Sequence, residues 1–393
     1  MYRNIYLKKG KEESLGRFHP WIFSGALAHA DDGIEEGDVV RVITSDGGFI
    51  ALGHYQGGSI AVRILSFDDV VVDKAFWTAA LGSALSLRRR LGLADSPRSD
   101  AYRLVHGEGD FLPGLIIDVY GKTAVMQAHS VGMHNARNEL AAVLVDVMGG
   151  RIDNVYYKSE TTLPFKAGVE HDNGFIVGGS DDNIAQENGL RFYVDWLKGQ
   201  KTGFFVDQRD NRALLEEYSG GRRVLNMFCY TGGFSVYALR GGASLVHSVD
   251  SSAKAIELTR RNVELNFPAD GRHEAFCEDA FKYLDSAGDN YDLIILDPPA
   301  FAKHRGALHN ALKGYTRLNH KALSKIRPGG VLFTFSCSQV VTKDNFRNAV
   351  FTAAAQARRR VRILHQLHQP ADHPINIYHP EGEYLKGLVL YVE

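Results

Sequence analysis

Cysteine is scarce in this 393-residue chain and falls into no pattern: Cys229, Cys277 and Cys337 are the only three, an odd number without CxxC spacing. That composition suggests neither a disulfide framework nor a cysteine zinc site. The 16 histidines contain no HExxH, so no metal is expected. Any cysteine that performs chemistry must do so as a thiol or thiolate. No GxGxxG is present, which leaves a dinucleotide pyrophosphate site poorly supported. No stretch approaches the roughly 18 apolar residues of a membrane helix, and the opening Met1-Tyr2-Arg3-Asn4-Ile5-Tyr6-Leu7-Lys8 lacks the apolar core of a signal peptide. A cytoplasmic location away from membranes is therefore expected. A strong charge bias is lacking too. The formal net charge is −1, which argues against massive non-specific binding of a polyanion but leaves room for local basic surface. Arg3, Lys8, Lys9 and Lys11 cluster at the start. Arg88-Arg89-Arg90 and Arg358-Arg359-Arg360 each read first as a solvated helix face.

What is present suits an ordinary globular enzyme, with 45% hydrophobic and 23% charged residues and a length that predicts two to three domains. Short strands at 37–43, 49–55 and 60–65 make residues 1–70 a small β-rich module. Helical spacing over 75–93 predicts a linking helix. Mixed elements follow, with strands at 102–106, 114–119, 122–128 and 153–158 and a helix at 133–148, so 71–182 reads as a small α+β middle domain. The Gly- and Asp-rich stretch 168–185 is the best boundary before a last domain at 183–393. There strands (222–228, 244–250, 273–278, 291–296, 331–336) alternate with helices (232–240, 252–266, 308–326, 343–360), and strands at 361–368 and 385–392 close the series with no helix between them. This is the pattern of an α/β, doubly wound, mostly parallel sheet with an antiparallel end.

Ligands of open α/β sheets sit at the carboxyl ends of strands, and the chemistry-bearing residues fall there. Phe228-Cys229-Tyr230-Thr231-Gly232-Gly233 is a strand end, a tight turn and a helix start, where glycine allows close backbone approach and a helix N-terminus offers free N–H groups. A turn used only for packing is the alternative. Asp250 ends the next strand, where a carboxylate accepts two hydrogen bonds from ribose hydroxyls; helix capping is the competing reading. Glu278-Asp279-Ala280 ends the third strand, suited to contact an adenine amino group or to cap a helix. Together the three ends describe a pocket for an adenosine-bearing ligand that needs no phosphate. Asp297-Pro298-Pro299-Ala300-Phe301 and Ser336-Cys337-Ser338 end two further strands, predicted parallel and adjacent. The prolines stiffen the first turn, and Phe301 offers a ring to a flat substrate. A lone cysteine beside a strand is usually inert packing; at a rim shared with Asp297 it becomes a candidate nucleophile. Cys229 and Cys277 read as packing residues. The string KTGFFVDQRDNR at 201–212 carries more polar groups than a core could satisfy. A helix start capped by Asp207 explains part of it, and hydrogen bonding around a ligand explains more.

These strings, with Asn262-Val263-Glu264-Leu265-Asn266 and the closing His379-Pro380-Glu381-Gly382-Glu383-Tyr384-Leu385-Lys386-Gly387, resemble in order the S-adenosylmethionine-dependent 23S ribosomal RNA cytosine-5 methyltransferases. Arg17-Phe18-His19-Pro20-Trp21-Ile22-Phe23-Ser24-Gly25-Ala26 resembles the opening of that family's PUA domain, an RNA-binding β-barrel. The resemblance implies a class I, Rossmann-like, seven-stranded catalytic domain, S-adenosylmethionine as cofactor and 23S ribosomal RNA as partner. It implies that Phe228, Tyr230, Thr231, Gly232, Gly233, Asp250, Asp279 and Ala280 hold the cofactor, with Gln208 and Asp297 as further candidates, and that Cys337 is the nucleophile. One departure stands out: Asp297-Pro298-Pro299 occupies the place where a larger set of RNA cytosine methyltransferases carries Pro-Cys, which leaves Cys337 as the sole candidate.

The implied chemistry starts from an electron-poor carbon 5 on cytosine. A thiolate from Cys337 adds at carbon 6 and creates an enamine that can take a methyl group. Asp297 would hold the N3 and amine edge. Phe204, Pro298, Pro299 and Phe301 are the candidates to line or stack on a base drawn out of its helix. Two other readings stay open: methylation of a base nitrogen (an exocyclic amine or guanine N7), in which Cys337 is mere packing, and a non-catalytic RNA-binding or ribosome-assembly factor. Exposed edge strands and near-zero charge are compatible with a homodimer.

Overall fold

The computed structural model describes residues 2–164, 172–180, 182–288 and 290–393. Of the boundary predicted at 168–185, residues 168–171 and 181 lie outside the described residues. The chain packs as two compact units. One holds the stretch to Gln186 together with Val194–Val206 and Ala371–Gly382; the other holds Glu187–Tyr193, Asp207–Pro370 and Glu383–Glu393.

The first unit contains two sheets. A six-stranded sheet runs in the order Trp21–Phe23, Ile60–Ser66, Phe49–Tyr55, Val39–Ile43, Arg3–Leu7, Leu27–Ala30, antiparallel except where Arg3–Leu7 pairs with Val39–Ile43. Ile5, Leu7, Val40, Val42, Ala51, Val62 and Ile64 form its own core. A five-stranded sheet follows, with Gly174–Val177, Asn154–Tyr157, Thr123–Ala128, Leu115–Tyr120 and Ala101–His106 in that order. Helices Lys74–Arg90 and Arg137–Met148 close over its apolar core. The helix predicted at 133–148 is broken at Ala136 into Val131–Asn135 and Arg137–Met148. The short strands Arg3–Leu7, Trp21–Phe23, Leu27–Ala30 and Gly174–Val177 went unpredicted, because three to five residues carry little periodicity.

The second unit is built on a seven-stranded sheet flanked by helices, and it also holds the strand Leu190–Tyr193 of a separate two-stranded sheet. Its strands are β1 (Arg223–Met227), β2 (Leu245–Asp250), β3 (His273–Cys277), β4 (Leu293–Leu296), β5 (Gly330–Ser336), β6 (Val361–His368) and β7 (Lys386–Val392). Their order is β3-β2-β1-β4-β5-β7-β6, with β7 antiparallel to both neighbours. All residues of β4 and β5 are buried, the signature of central strands covered on both faces, whereas β6 alternates and lies at the edge. The helices are α1 (Arg209–Tyr218), α2 (Gly233–Arg240), α3 (Ala253–Asn266), α4 (Ala280–Ser286), α5 (Leu308–Lys325) and α6 (Lys343–Gln356). On α5 the buried Ala311, Tyr315, Leu318, Ala322 and Leu323 recur at three- and four-residue intervals and face the sheet. Ser252, Asp279 and Thr342 each cap a helix by accepting a backbone N–H three residues on. Helix α4, seven residues long, was too short for its period to show.

The arginine triplets match the expected solvated helix face only in part: Arg89 and Arg90 are exposed at the end of the helix Lys74–Arg90, but Arg88 and the second triplet differ. Arg88 is fully buried, paired with Asp110 and donating to the carbonyls of Arg103 and Asp372. The last helix stops at Gln356, Arg358 takes a left-handed φ of 53°, and Arg359 donates to the carbonyls of Leu323 and Ile326.

Candidate active site

The carboxyl ends of β1, β2, β4 and β5 present a connected set of groups. The turn after β1 carries Phe228 at φ 58° and Tyr230 at φ 47°, a left-handed conformation that bulky side chains seldom adopt, followed by Gly232 at φ 80°. Strain of this kind costs on the order of 1–3 kcal/mol per residue and persists only where surrounding contacts impose it. Here Cys229 N–H donates to the Val249 carbonyl at 3.0 Å, and Tyr230 N–H donates to Asp250 Oδ2 at 3.0 Å. Asp250 Oδ1 accepts from Ser252 N–H at 2.9 Å. Asp250 therefore ties the turn to the end of β2, and the helix cap belongs to Ser252 instead. Its half-buried carboxylate retains lone pairs for hydroxyl donors. Thr231, Gly232 and Gly233 are buried beneath the turn, and Asn262 donates to the Thr231 carbonyl at 2.8 Å.

Asp279 is exposed and caps α4 through Lys282 N–H at 3.0 Å, so its side chain takes up the capping role; Ala280 is buried behind it. The backbone at this strand end remains the feature available to a flat ring. An open turn, a carboxylate and a strand end, with no cation among the six cofactor residues from Phe228 to Asp250, fit an uncharged adenosine portion rather than a pyrophosphate.

Asp297, half-buried at the end of β4, receives Gln208 Nε2 on Oδ2 at 3.0 Å. Gln208 Oε1 in turn accepts from Asn211 Nδ2 at 2.6 Å, and Gln208 is buried. With its amide engaged at both ends, Gln208 is held against Asp297, and its second N–H and second oxygen lone pair remain for the expected cofactor contact. Pro298 is buried and Pro299 exposed. The Phe301 ring packs on Tyr315, with centroids 4.6 Å apart, and sits against Gly314, so it is half-committed to the core.

Strands β4 and β5 are parallel neighbours, with Leu296 opposite Thr334. Beyond their ends Cys337, partly exposed, points its Sγ at the Pro298 carbonyl, 4.0 Å away. The predicted acid and thiol therefore share one rim. Tyr315 lies beneath both: its hydroxyl accepts from Ser336 at 2.9 Å, and burial pushes it up to about 12. Lys386, a member of the closing string with no role of its own expected, is buried close by and donates to the carbonyls of Ser338 and Val341.

The remaining cysteines divide. Cys229 is buried and its thiol is pushed far up, chiefly by burial. Cys277 is exposed at the end of edge strand β3, which corrects its expected packing role. The string at 201–212 divides too. Residues 201–205 belong to the first unit, where Thr202 donates to Asp118 at 2.6 Å and the Phe204 carbonyl accepts from Tyr120 at 3.0 Å. Phe204 is 4% exposed, so it presents no open ring for a base. In the second unit Asp207 lies in the short 3-10 turn Val206–Gln208 that leads into α1, as expected of a helix start, and its side chain accepts from the Tyr384 hydroxyl at 2.6 Å; Arg212 makes a buried bidentate pair with Glu187 at 2.9 and 2.7 Å. The dense polar set of the string is thus satisfied largely by protein groups. Among the described residues no cluster suited to a metal ion occurs, and no helix is long and apolar enough to cross a membrane.

A family model described as S-adenosylmethionine-dependent methyltransferase matches residues 178–379, and one described as a PUA-like domain matches residues 5–67. The chain is similar to the ribosomal RNA large subunit methyltransferase I of Aeromonas hydrophila, 40% identical over 398 residues that cover 99% of each chain. It is similar at 38% identity to the same-named protein of Klebsiella pneumoniae, over 100% of this chain and 99% of that one. Among solved structures, a SAM-dependent methyltransferase from Streptococcus mutans superposes with a TM-score of 0.83 at 23% identity, covering 100% of both chains. Another methyltransferase, solved in complex with SAH, gives 0.85 at 23% identity over 100% of both. At that identity the likeness speaks for the fold.

Proposed function

Because the chain belongs to the ribosomal RNA large subunit methyltransferase I family of S-adenosylmethionine-dependent enzymes, we propose that it forms 5-methylcytosine in 23S ribosomal RNA through a covalent adduct between Cys337 and carbon 6 of the base. The observation that carries this reading is the position of Cys337: its thiol lies at the rim, 4.0 Å from the carbonyl of Pro298 in the turn that bears Asp297. A base-nitrogen methyltransferase would have no use for a thiol there.

S-adenosylmethionine supplies an electrophilic methyl group when bound. Residues of the turn after β1, Asp250 and the Asp279-Ala280 backbone would hold it. Cys337 forms the S–C6 bond with its thiolate, and the displaced π electrons make carbon 5 nucleophilic. Asp297, oriented by Gln208, accepts from the exocyclic amine and, when protonated, donates to N3 as negative charge develops there. Pro298, exposed Pro299 and the accessible part of Phe301 line the base. After methylation, loss of the carbon 5 proton to a base restores the C5–C6 double bond and expels the Cys337 thiolate. The residues matched by the PUA-like model are the proposed RNA-holding domain, within a division at 1–70, 71–182 and 183–393. A cytoplasmic enzyme, with the exposed β6 edge as a place for self-association, completes the proposal.

Ribosomal RNA containing 5-fluorocytosine is expected to trap a covalent complex that survives denaturing electrophoresis, because fluorine at carbon 5 cannot leave as a proton does. Cys337→Ala should abolish both the complex and methyl transfer. Methylation persisting in Cys337→Ala would refute the nucleophile and favour nitrogen chemistry.

A further inference from the structure

Lys386 is the first residue of β7 and pairs in register with Ser336, the immediate neighbour of Cys337. It is 5% exposed, and its Nζ donates to the Ser338 carbonyl at 2.6 Å and the Val341 carbonyl at 2.7 Å. These two carbonyls span the turn that leaves β5 just after the cysteine. The Ser338 hydroxyl fastens the same turn to the Ala302 carbonyl at 2.5 Å.

An ammonium taken out of water is normally matched by a carboxylate, because an uncompensated buried charge is costly. The hydrogen bonds of Lys386 go to neutral carbonyls, and among the described residues it makes no ion pair. Glu383, the nearby acid, is taken by Lys343 at 2.5 Å. Burial pulls Lys386 down to about 8, while Cys337 and Glu383 favour its charged form and Lys343 opposes it. Two other titratable groups lie at the thiol: Tyr315, which stays neutral near pH 7, and Asp297, in the turn whose Pro298 carbonyl the thiol approaches, an acid that supplies no positive charge. The anion best placed to face this cation is the one the reaction requires.

We propose that Lys386 is a positioning residue for Cys337: its ammonium pins the turn after β5 through two carbonyls and supplies the fixed positive charge against which the thiol ionises. The inference rests on Cys337 being the nucleophile. The thiol proton leaves to solvent, Lys386 keeps its own, and no bond to lysine forms. A neutral side chain of the same length could fill the space but could not stabilise the thiolate.

The test is the pH dependence of iodoacetamide labelling of Cys337 in the full-length protein, read by mass spectrometry of its peptide in a Cys277→Ser background that removes the exposed thiol. Lys386→Met and Lys386→Gln are expected to raise the labelling midpoint by about one pH unit, a tenfold loss of thiolate at a given pH, whereas Lys386→Arg keeps it near the parent value. Methyl transfer by the Met and Gln variants should recover as pH rises, which a purely structural defect would not do. An unmoved midpoint in folded Met and Gln variants would overturn the proposal. Should neither fold, a parent midpoint no lower than that of the same chain unfolded in urea overturns it equally. The two readings fail separately: activity in Cys337→Ala removes the nucleophile, while an intact fluorocytosine adduct with an unmoved midpoint removes only the role of Lys386.

Discussion

At the residue scale the proposed division of labour rests on Asp297 and the amide that holds it. Gln208 Nε2 donates to Asp297 Oδ2 at 3.0 Å and is itself fixed by Asn211. Asp297→Asn should lower kcat by about 10²–10³-fold, the size of effect seen when one charge-stabilising group is removed from a preorganised site. Gln208→Ala should cost less and act through the same carboxylate, so the double variant should be little worse than Asp297→Asn alone; single-turnover methylation of ribosomal RNA measures both. Much of this was legible. Asp297, Cys337 and Asp250 stand out in the sequence because each ends a strand pattern at the sheet rim where open α/β sheets hold their ligands. The link from Gln208 to Asp297 and the place of Lys386 beside the thiol turn are not legible in the sequence, since they depend on partners far along the chain: Gln208 meets a residue 89 positions away, and Lys386 one 48 away. Phe204 failed for the complementary reason, because nothing in an aromatic side chain tells which neighbours will cover it.

At the element scale, the strands and long helices of the second unit appeared within a few residues of their predicted ends, because runs such as Leu293–Leu296 and the periodic face of α5 are strong signals. The turn after β1 shows what such signals omit. Gly232 has φ 80°, and a Cβ there would lie 2.7 Å from Thr259 Cγ2 on α3. Gly232→Ala is expected to destabilise the protein by about 1–3 kcal/mol and to weaken S-adenosylmethionine binding, since both the left-handed backbone and the close approach of α3 are lost. Urea unfolding and calorimetric titration with S-adenosylhomocysteine separate the two effects. A glycine turn predicted from sequence is thus also a helix contact, and only the packing of α3 reveals it.

At the scale of the whole molecule, acid is the expected weakness. Burial holds His54 and His129 of the first unit, and His273 of the second, down at about 4. All three are neutral in both folded and unfolded chains above pH 6.5, so they cost nothing there. Between about 6.5 and 4 the unfolded chain takes up protons that the folded one refuses, and stability falls by up to about 1.4 kcal/mol per pH unit for each histidine. Urea titrations at pH 7 and pH 5 should show this loss, and His54→Gln should flatten the slope by about one proton; an unchanged slope would count against a neutral buried His54. The strand order carries a different consequence. β7 follows β6 in the chain yet lies between β5 and β6, antiparallel to both. During folding β6 therefore has no partner in the sheet until β7 has slid into the gap, and Lys386, which fastens the turn after Cys337, arrives on that same strand. Closing this long-range pairing is a natural slow step, so a newly folding molecule would assemble the turn after β1 and Asp250 before the turn that carries Cys337 is fastened.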